Sequence, residues 1–376
     1  MERRKKKILF IITYLELGGA QKQLLAVVKN LDRSRFSPYL LSGDKGFLKD
    51  DFSRIPDLNT RLMPKLCRSI SPLSDIVAFF KIYHYIKKEG FDIVHTHSPK
   101  ASFLGRWAAR MAGVKNIVYT VHGWPFHDFM HPAACRLFLL LEKSTARITK
   151  KIIVVSEKDL NTGLDNKIAP RNKLVLIRYG VDTGPLEKVY QRRSESPPSK
   201  DIIVNISSLK RQKDISSFLV AAESILARRE KARFLLIGGG PEKEKTGKDI
   251  KKRGLQDRIV MKGWVDDISP ALAEASILML TSLWEGLPVT LIEAVLAGVP
   301  VIVTDTGGCL DIVKNNENGL IVRPKDINRL TENALMVLDN YEEWSERIEK
   351  NRRSLNMYYW SEERMLSEIE RLYEEL

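Results

Sequence analysis

Ser282-Leu-Trp-Glu-Gly-Leu-Pro-Val-Thr-Leu-Ile-Glu-Ala294 decides how this chain reads. The short apolar run before it, Ile277 to Leu280, predicts a buried strand. Glu285 then follows, the chain turns at Gly286, and Pro288 opens a helix at its first position. Proline fits there because that N–H has no helical partner anyway and its φ is already set. The N–H groups of Leu287, Val289 and Thr290 then stand at a helix end that favours an anion. Glu285 and Glu293 lie on either side of this helix start. Carboxylates repel phosphate, so two of them beside an anion site point to hydroxyls, as on a sugar and a ribose. Taken alone, the stretch also fits a plain strand–loop–helix with two solvated glutamates.

A chain of 376 residues, 44% hydrophobic, has room for two domains of ordinary size. No apolar run approaches the roughly 18–20 residues that span a bilayer; the densest, Leu137 to Leu141, is bounded by Arg136 and Glu142. The basic start, through Lys7, resembles a signal peptide only in charge, since the run Ile8 to Ile12 is too short and reads as a first core strand. A cytoplasmic protein is expected. Cys67, Cys135 and Cys309 are odd in number, without CxxC spacing, and read as reduced thiols. Charge is unevenly placed: residues 1–190 carry 33 Lys+Arg against 17 Asp+Glu, whereas 191–376 carry 28 against 30. A basic half suits nucleic acid, an acidic substrate or an anionic membrane surface, or is simply a solvated face.

Short apolar runs alternate with amphipathic stretches throughout. Before residue 190 the candidate strands are Ile8–Thr13, Pro38–Ser42, Ile93–Thr96, Asn116–His122, Ile152–Ser156 and Leu174–Arg178. The helical patterns include Gln21–Leu31, Ser74–Lys88, Lys100–Met111 and Pro132–Lys150. This alternation implies a parallel sheet covered on both faces, with ligands at the carboxyl ends of its strands. Three of those ends carry chemistry. Gly18-Gly19 opens a helix and lets backbone approach a phosphate or sugar, although the spacing is not GxGxxG and a tight turn explains it equally. His95-Thr96-His97-Ser98-Pro99-Lys100 invites a metal reading, but without a carboxylate or cysteine nearby the histidines suit packing or substrate contacts, with Ser98 as helix cap. His122-Gly123 places an imidazole at a turn into a cleft, or in the core. The basic amphipathic segment His131–Lys151 suits either core packing or a membrane surface, and Lys81, Lys87 and Lys88 add to the basic face.

Gln191–Lys200 is polar, proline-rich and aperiodic, so it is expected to be a linker between domains 1–190 and 201–355. Beyond it the alternation restarts with Ile202–Ser207, Phe234–Ile237, Ile259–Lys262, Ile277–Leu280, Val301–Thr304 and Leu320–Val322. Lys210, Arg211 and Lys213 at the end of the first of these form a credible diphosphate grip. Gly238-Gly239-Gly240 and Gly263-Trp264-Val265 mark further strand ends, and Thr306-Gly307-Gly308 offers backbone amides.

In order along the chain these residues resemble the family 4 glycosyltransferases of GT-B architecture. The resemblance rests on Gly18-Gly19-Ala20, Thr96-His97-Ser98 through Ala108-Ala109-Arg110, Thr120-Val121-His122-Gly123, Gly180-Val181-Asp182, Gly240-Pro241-Glu242, the E-x7-E pair Glu285 and Glu293, and Ala297-Gly298-Val299-Pro300-Val301. It implies an α/β fold of two Rossmann-like, doubly wound domains facing each other across a cleft, with residues 356–376 as a helix crossing back to the first. It implies that Glu285, with the backbone of Gly286 and Leu287, holds the sugar hydroxyls; Pro288 and Thr290 belong to the same helix start. Glu293 would bind the ribose, Lys213 the diphosphate with backbone help at Gly19 beside Gly18, and the Trp264-Val265 backbone the base. His122 would contact the donor sugar. Glu285, His122 and Lys213 thus carry the expected catalysis.

Two departures stand out. Ser207-Ser208-Leu209 replaces the usual Gly-Arg-Leu, so Lys210 or Arg211 would supply the missing charge, a choice left open. Arg178-Tyr179 replaces the usual Pro-Asn. The implied reaction is sugar transfer with retention from a nucleotide diphosphate sugar, with UDP favoured, to a lipid-linked or glycan acceptor in cell-surface glycan synthesis. No metal or other cofactor is expected, and no Asp pair is spaced as DxD. The basic first domain would hold the enzyme at an anionic membrane surface, peripheral to the inner face of the cytoplasmic membrane. Two alternatives are weighed: a sugar-nucleotide epimerase of the same fold, lacking visible acid–base groups, and a basic nucleic-acid-binding protein, which leaves the paired glutamates unexplained.

Overall fold

The computed structural model describes residues 4–67, 69, 71–198 and 201–376. They form two compact units, one running to Gly180 and taking in Glu362–Leu376, the other Val181–Ser361. The first unit is built on β1 (Lys6–Ile12), β2 (Phe36–Ser42), β3 (Asn59–Leu62), β4 (Ile93–His97), β5 (Asn116–Val121), β6 (Lys151–Val154) and β7 (Leu174–Leu176). Their order is β3-β2-β1-β4-β5-β6-β7, and every neighbouring pair is parallel. The central strand explains why. Ile8 to Ile12 are all fully buried, as aliphatic residues on both faces of a covered sheet must be. Alternation sends Leu9 and Ile11 into a core with Ala78, Ile82, Ala101 and Ala108 of the helices Pro72–Glu89 and Pro99–Met111. Phe10 faces the other way, toward Tyr373 of the helix Glu362–Glu374. That last helix is fastened by charge as well: Glu370 accepts from the backbone N–H of Asp32 at 2.8 Å and pairs with Arg35.

The second unit is built on β8 (Ile202–Ile206), β9 (Arg233–Ile237), β10 (Ile259–Gly263), β11 (Ile277–Leu280), β12 (Val301–Thr304) and β13 (Gly319–Val322). The order is β10-β9-β8-β11-β12-β13, again parallel throughout. Phe218, Leu219 and Ala222 of the helix Ile215–Leu226 meet Leu330, Ala334 and Val337 of the helix Ile327–Asp339 in its core. Both sheets therefore have the Rossmann-like order in which the chain starts at the centre, winds to one side and then reverses. The reversal opens a crevice at the carboxyl ends of the two central strands. In the first unit these strands are β1 and β4, and in the second β8 and β11.

Two expectations differ from the structure. The strand β3 has no counterpart in the sequence reading because Asn-Thr-Arg-Leu sits at a solvent-facing edge and has no apolar run to show. The stretch 191–200 was expected to be a linker, yet residues 191–195 complete the helix Thr183–Glu195, with Asp182 as its cap; residues 199 and 200 lie outside the described residues. The reason is Arg193. Its buried guanidinium donates to the carbonyls of Leu272 (2.7 Å), Ala273 (3.3 Å) and Ala275 (2.6 Å), satisfying the open end of the helix Ser269–Glu274. Leu186 and Val189 of the same helix are buried too, so residues 181–190 pack with the second unit rather than the first.

Candidate active site

In the second unit the chemistry gathers at the reversal point. Ser207 to Lys210 leave β8 and run into the one-turn helix Arg211–Lys213. Thr281 and Ser282 leave β11 toward Glu285. The two excursions are stitched together by hydroxyls and amides. Thr281 Oγ1 donates to the carbonyls of Lys213 and Asp214, each at 3.0 Å. Gln212 donates from its side chain to the Trp284 carbonyl at 2.7 Å and accepts at its own carbonyl from Leu283 N–H at 2.7 Å. On this frame Lys213 Nζ donates to Glu285 Oε1. Ser282 Oγ donates to the same oxygen at 2.6 Å, and Gln212 Nε2 lies 3.4 Å from Oε2. The carboxylate side chain is 7% exposed and the lysine 15%, so their attraction is little screened.

Glycines let this loop close on its neighbour. Gly308 N–H donates to the Gly286 carbonyl at 2.5 Å. Gly307 has φ +53°, and a Cβ placed there would come within 2.2 Å of the Glu285 carbonyl oxygen. A side chain would therefore push the Glu285 loop away. Of the expected backbone amides of residues 306–308, that of Gly308 thus serves first to seat Gly286. Gly239 makes a similar approach: a Cβ there would meet Trp264 Nε1 at 2.5 Å, which ties the Gly238–Gly240 loop to the expected base-binding Trp264-Val265 segment.

Pro288 sits one position earlier than expected. It is the cap of the helix Val289–Leu296, with φ −70° and ψ 115°, and its carbonyl receives the first helical bonds from Leu291 and Ile292. Thr290 and Glu293 lie on that helix and Leu287 is buried beside it. Lys210 caps the one-turn helix, while Arg211 is exposed.

In the first unit, Gly18 caps the helix Gly19–Asn30 in the extended conformation usual for an N-cap. Ser98 precedes the helix Pro99–Met111 without capping it. Its φ is +61°, and its hydroxyl is taken by Thr13, 3.1 Å from the N–H and 2.6 Å from Oγ1, which joins the ends of β1 and β4. Lys100 pairs with Asp75. Histidines fill the edge beyond. His95 lies between the Tyr373 hydroxyl (2.6 Å) and Thr120 Oγ1 (2.7 Å), which makes it a core residue. His122 lies between Tyr179 and His97, whose Nδ1 is 2.9 Å from His122 Nε2. Burial lowers the pKa of His122 from its ordinary 6.5 to about 3, and holds His97 well below that ordinary value, so both are neutral at pH 7. Among the described residues no group of three or more His, Cys, Asp or Glu is arranged to hold a metal ion.

Lys213 and Glu285, expected in one site, are in contact. Ser282, Gln212, Tyr179 and the partnership of His97 with His122 are not among the expected site features. Ser282 lies three residues before Glu285, a spacing that hints at the bond, whereas the other partners are brought in by long-range folding.

Comparison with known proteins places the chain in a family. Residues 17–184 match the family model "Glycosyltransferase Family 4", and residues 187–355 match "Glycosyl transferases group 1". The chain is 29% identical over 340 residues to the Escherichia coli UDP-Gal:alpha-D-GlcNAc-diphosphoundecaprenol alpha-1,3-galactosyltransferase, covering 86% of each chain. The crystal structure of Anabaena HepE in complex with UDP and glucose matches with a TM-score of 0.82 at 18% identity, over 99% of this chain and 100% of that one. Sucrose-phosphate synthase from Thermosynechococcus elongatus matches with a TM-score of 0.83 at 19% identity, over 99% of both. These structural likenesses establish the GT-B fold. With one family model on each half of the chain, in sequence order, and a glycosyltransferase relative along most of its length, the protein belongs to the family 4 glycosyltransferases.

Proposed function

We propose that this glycosyltransferase moves a sugar from a UDP-sugar, with retention, to a lipid-linked acceptor in cell-surface glycan synthesis. The observation that carries the reading is the Lys213–Glu285 pair at the reversal point of the second sheet, backed by Ser282 and Gln212. A cation for a diphosphate and a carboxylate for sugar hydroxyls stand side by side, on loops held rigid by backbone and hydroxyl bonds. In this reading Lys213, with Lys210 or Arg211, neutralises the leaving diphosphate, which is the electrostatic work such a transfer needs. Glu285 and the amides of Gly286 and Leu287 hold the sugar, Glu293 the ribose, and the Trp264-Val265 backbone the base. Pro288 and Thr290 shape the helix start against the donor. Gly18, Gly19 and His122 of the first unit serve the donor, and no resident metal is involved. Support for the donor and acceptor classes comes from the relatives: one uses UDP-Gal and a diphosphoundecaprenol-linked acceptor, and another binds UDP and glucose.

A membrane-facing role for the first unit belongs to the same reading. The helix Pro72–Glu89 buries Ala78, Ile82, Tyr85 and Ile86, but on its outer side Leu73 (81% exposed), Ile76 (54%), Val77 (43%) and Phe80 (50%) recur at helical spacing. Exposed Lys81, Lys87 and Lys88 follow on the same helix. On the helix Pro132–Ile148, Leu137 and Leu140 are exposed near the exposed Arg136 and Arg147. The helix Pro99–Met111 packs against both. An apolar stripe beside cations suits an anionic bilayer, the place where a lipid-linked acceptor is found.

The test is thermal stability of the purified protein against UDP-, GDP- and ADP-sugars, with Glu293→Ala alongside. A donor at about 100 times its Kd adds roughly 2.7 kcal/mol to the native state. A rise with one UDP-sugar that Glu293→Ala weakens supports the reading. No rise with any nucleotide sugar overturns it, and salt-sensitive RNA binding in its place favours a nucleic-acid partner.

A further inference from the structure

His122 stands at the carboxyl edge of the first sheet with both ring nitrogens engaged. The arrangement follows from strand alternation and register. His97 of β4 pairs with Thr120 of β5, so residues 95, 97, 120 and 122 share one face. The His97 and His122 rings lie within 22° of parallel, their centroids 5.2 Å apart, and meet edge to edge through His97 Nδ1 and His122 Nε2 at 2.9 Å. Gly123, at φ +103°, turns the chain away directly after the imidazole.

Tyr179 reaches the other side of this ring from a clamped backbone. Arg364 donates to the Tyr179 carbonyl at 3.2 Å, and the Gln23 amide holds both the carbonyl (2.8 Å) and the N–H (3.3 Å) of Gly180. The phenol is itself buried. The tyrosine is also one of the positions where this chain departs from the sequence pattern it otherwise resembles.

A phenol donates a hydrogen bond more readily than it accepts one, and the bare nitrogen of a neutral imidazole is a good acceptor. Tyr179 O–H therefore donates to Nδ1 of His122. The His122 proton then sits on Nε2 and is donated to Nδ1 of His97, which leaves the His97 proton on its Nε2. That nitrogen is buried and has no hydrogen-bond partner among the described residues. His97, His122, Tyr179 and Gln23 line a cavity of about 20 Å³, which is room for a single water to accept this last proton. Each bond in the row then has one donor and one acceptor.

We propose that Tyr179 and His97 are positioning residues that lock His122 in its Nε2–H tautomer and fix the direction of its ring. The consequence for catalysis rests on the reading of His122 as a group that serves the donor. A ring fixed in this way needs no rearrangement when substrate arrives.

The test uses the full-length protein labelled with 15N, because long-range 1H–15N spectra tell a protonated ring nitrogen from a bare one. In the unaltered protein both His122 and His97 should be protonated at Nε2; a proton on Nδ1 of either overturns the proposal. In Tyr179→Phe, which keeps the packing, His122 should lose its single tautomer. Its kcat should fall by about tenfold or more, while the donor KM stays within about twofold. An unchanged His122 spectrum in Tyr179→Phe overturns the positioning role. A changed tautomer with unchanged kcat overturns instead the part given to His122 in the reaction, so the two failures are distinguishable.

Discussion

Lys213 and Glu285 form a largely buried ion pair between the loops that follow the two central strands of the second sheet. Each residue neutralises the other inside a frame of fixed hydrogen bonds, so removing one leaves an uncompensated charge. Lys213→Ala is expected to cost about 2–4 kcal/mol of stability, and Glu285→Ala a similar amount. The double variant should cost less than the sum by about 1–2 kcal/mol, because the second removal relieves the stranded charge. Denaturant unfolding of all three variants measures this coupling. Strict additivity would mean that the two side chains do not interact in solution.

Gly307→Ala tests the seating of the same carboxylate from behind. A non-glycine residue at φ +53°, with its Cβ within 2.2 Å of the Glu285 carbonyl oxygen, forces that loop to move. The expected outcome is a loss of about 1–3 kcal/mol together with a fall in donor affinity. Gly247→Ala, at a glycine with nothing near its Cβ position, should leave affinity unchanged. Calorimetric titration of both variants with the donor separates the two cases.

The neutral histidines make stability sensitive to acid. For His122 the folded pKa of about 3 lies below the ordinary 6.5. Between those values the unfolded chain binds a proton that the native state refuses, so stability is fully present above about pH 6.5 and falls as pH drops. One such histidine contributes a slope of up to about 1.4 kcal/mol per pH unit. His122→Gln should therefore flatten the fall in melting temperature between pH 6.5 and pH 5. An identical fall in the variant would show that this ring titrates as it does in the unfolded chain.

The exposed stripe on the helix Pro72–Glu89 predicts a membrane effect that leaves the fold alone. Ile76→Glu with Phe80→Glu changes two outward residues and should leave the melting temperature within about 1–2 °C. Co-sedimentation with vesicles of anionic phospholipid should drop several-fold, and vesicles of zwitterionic lipid should bind neither protein. Lys87→Glu with Lys88→Glu should weaken binding most at low salt, since surface charge is screened. Equal binding by all variants would place the contact elsewhere.

Much of the architecture is legible in the order of the residues. Covered parallel strands need aliphatic residues on both faces, so runs such as Ile8–Ile12 and Ile277–Leu280 mark the two sheets by composition alone. Strand-end motifs are equally local: a glycine turn into a helix, or Glu285 just after a strand, shows in the order of residues. The second unit's core strands were therefore all visible, whereas β3, lying on an exposed edge, was not.

What the sequence determined by itself was periodicity and punctuation, and hence two α/β sheets with chemistry at their strand ends. Only the tertiary structure decided which distant side chains share a proton or a charge. Gln191–Glu195 looked like linker because a buried arginine and an exposed one are the same letter. Arg193 becomes a core residue only where three carbonyls from residues 272–275 converge on it. His122 likewise owes its neutral state to burial, and its two ring bonds to His97 and Tyr179, 25 and 57 residues away along the chain. Burial and hydrogen-bond direction depend on what folds against a residue, and neither can be read from the residues beside it.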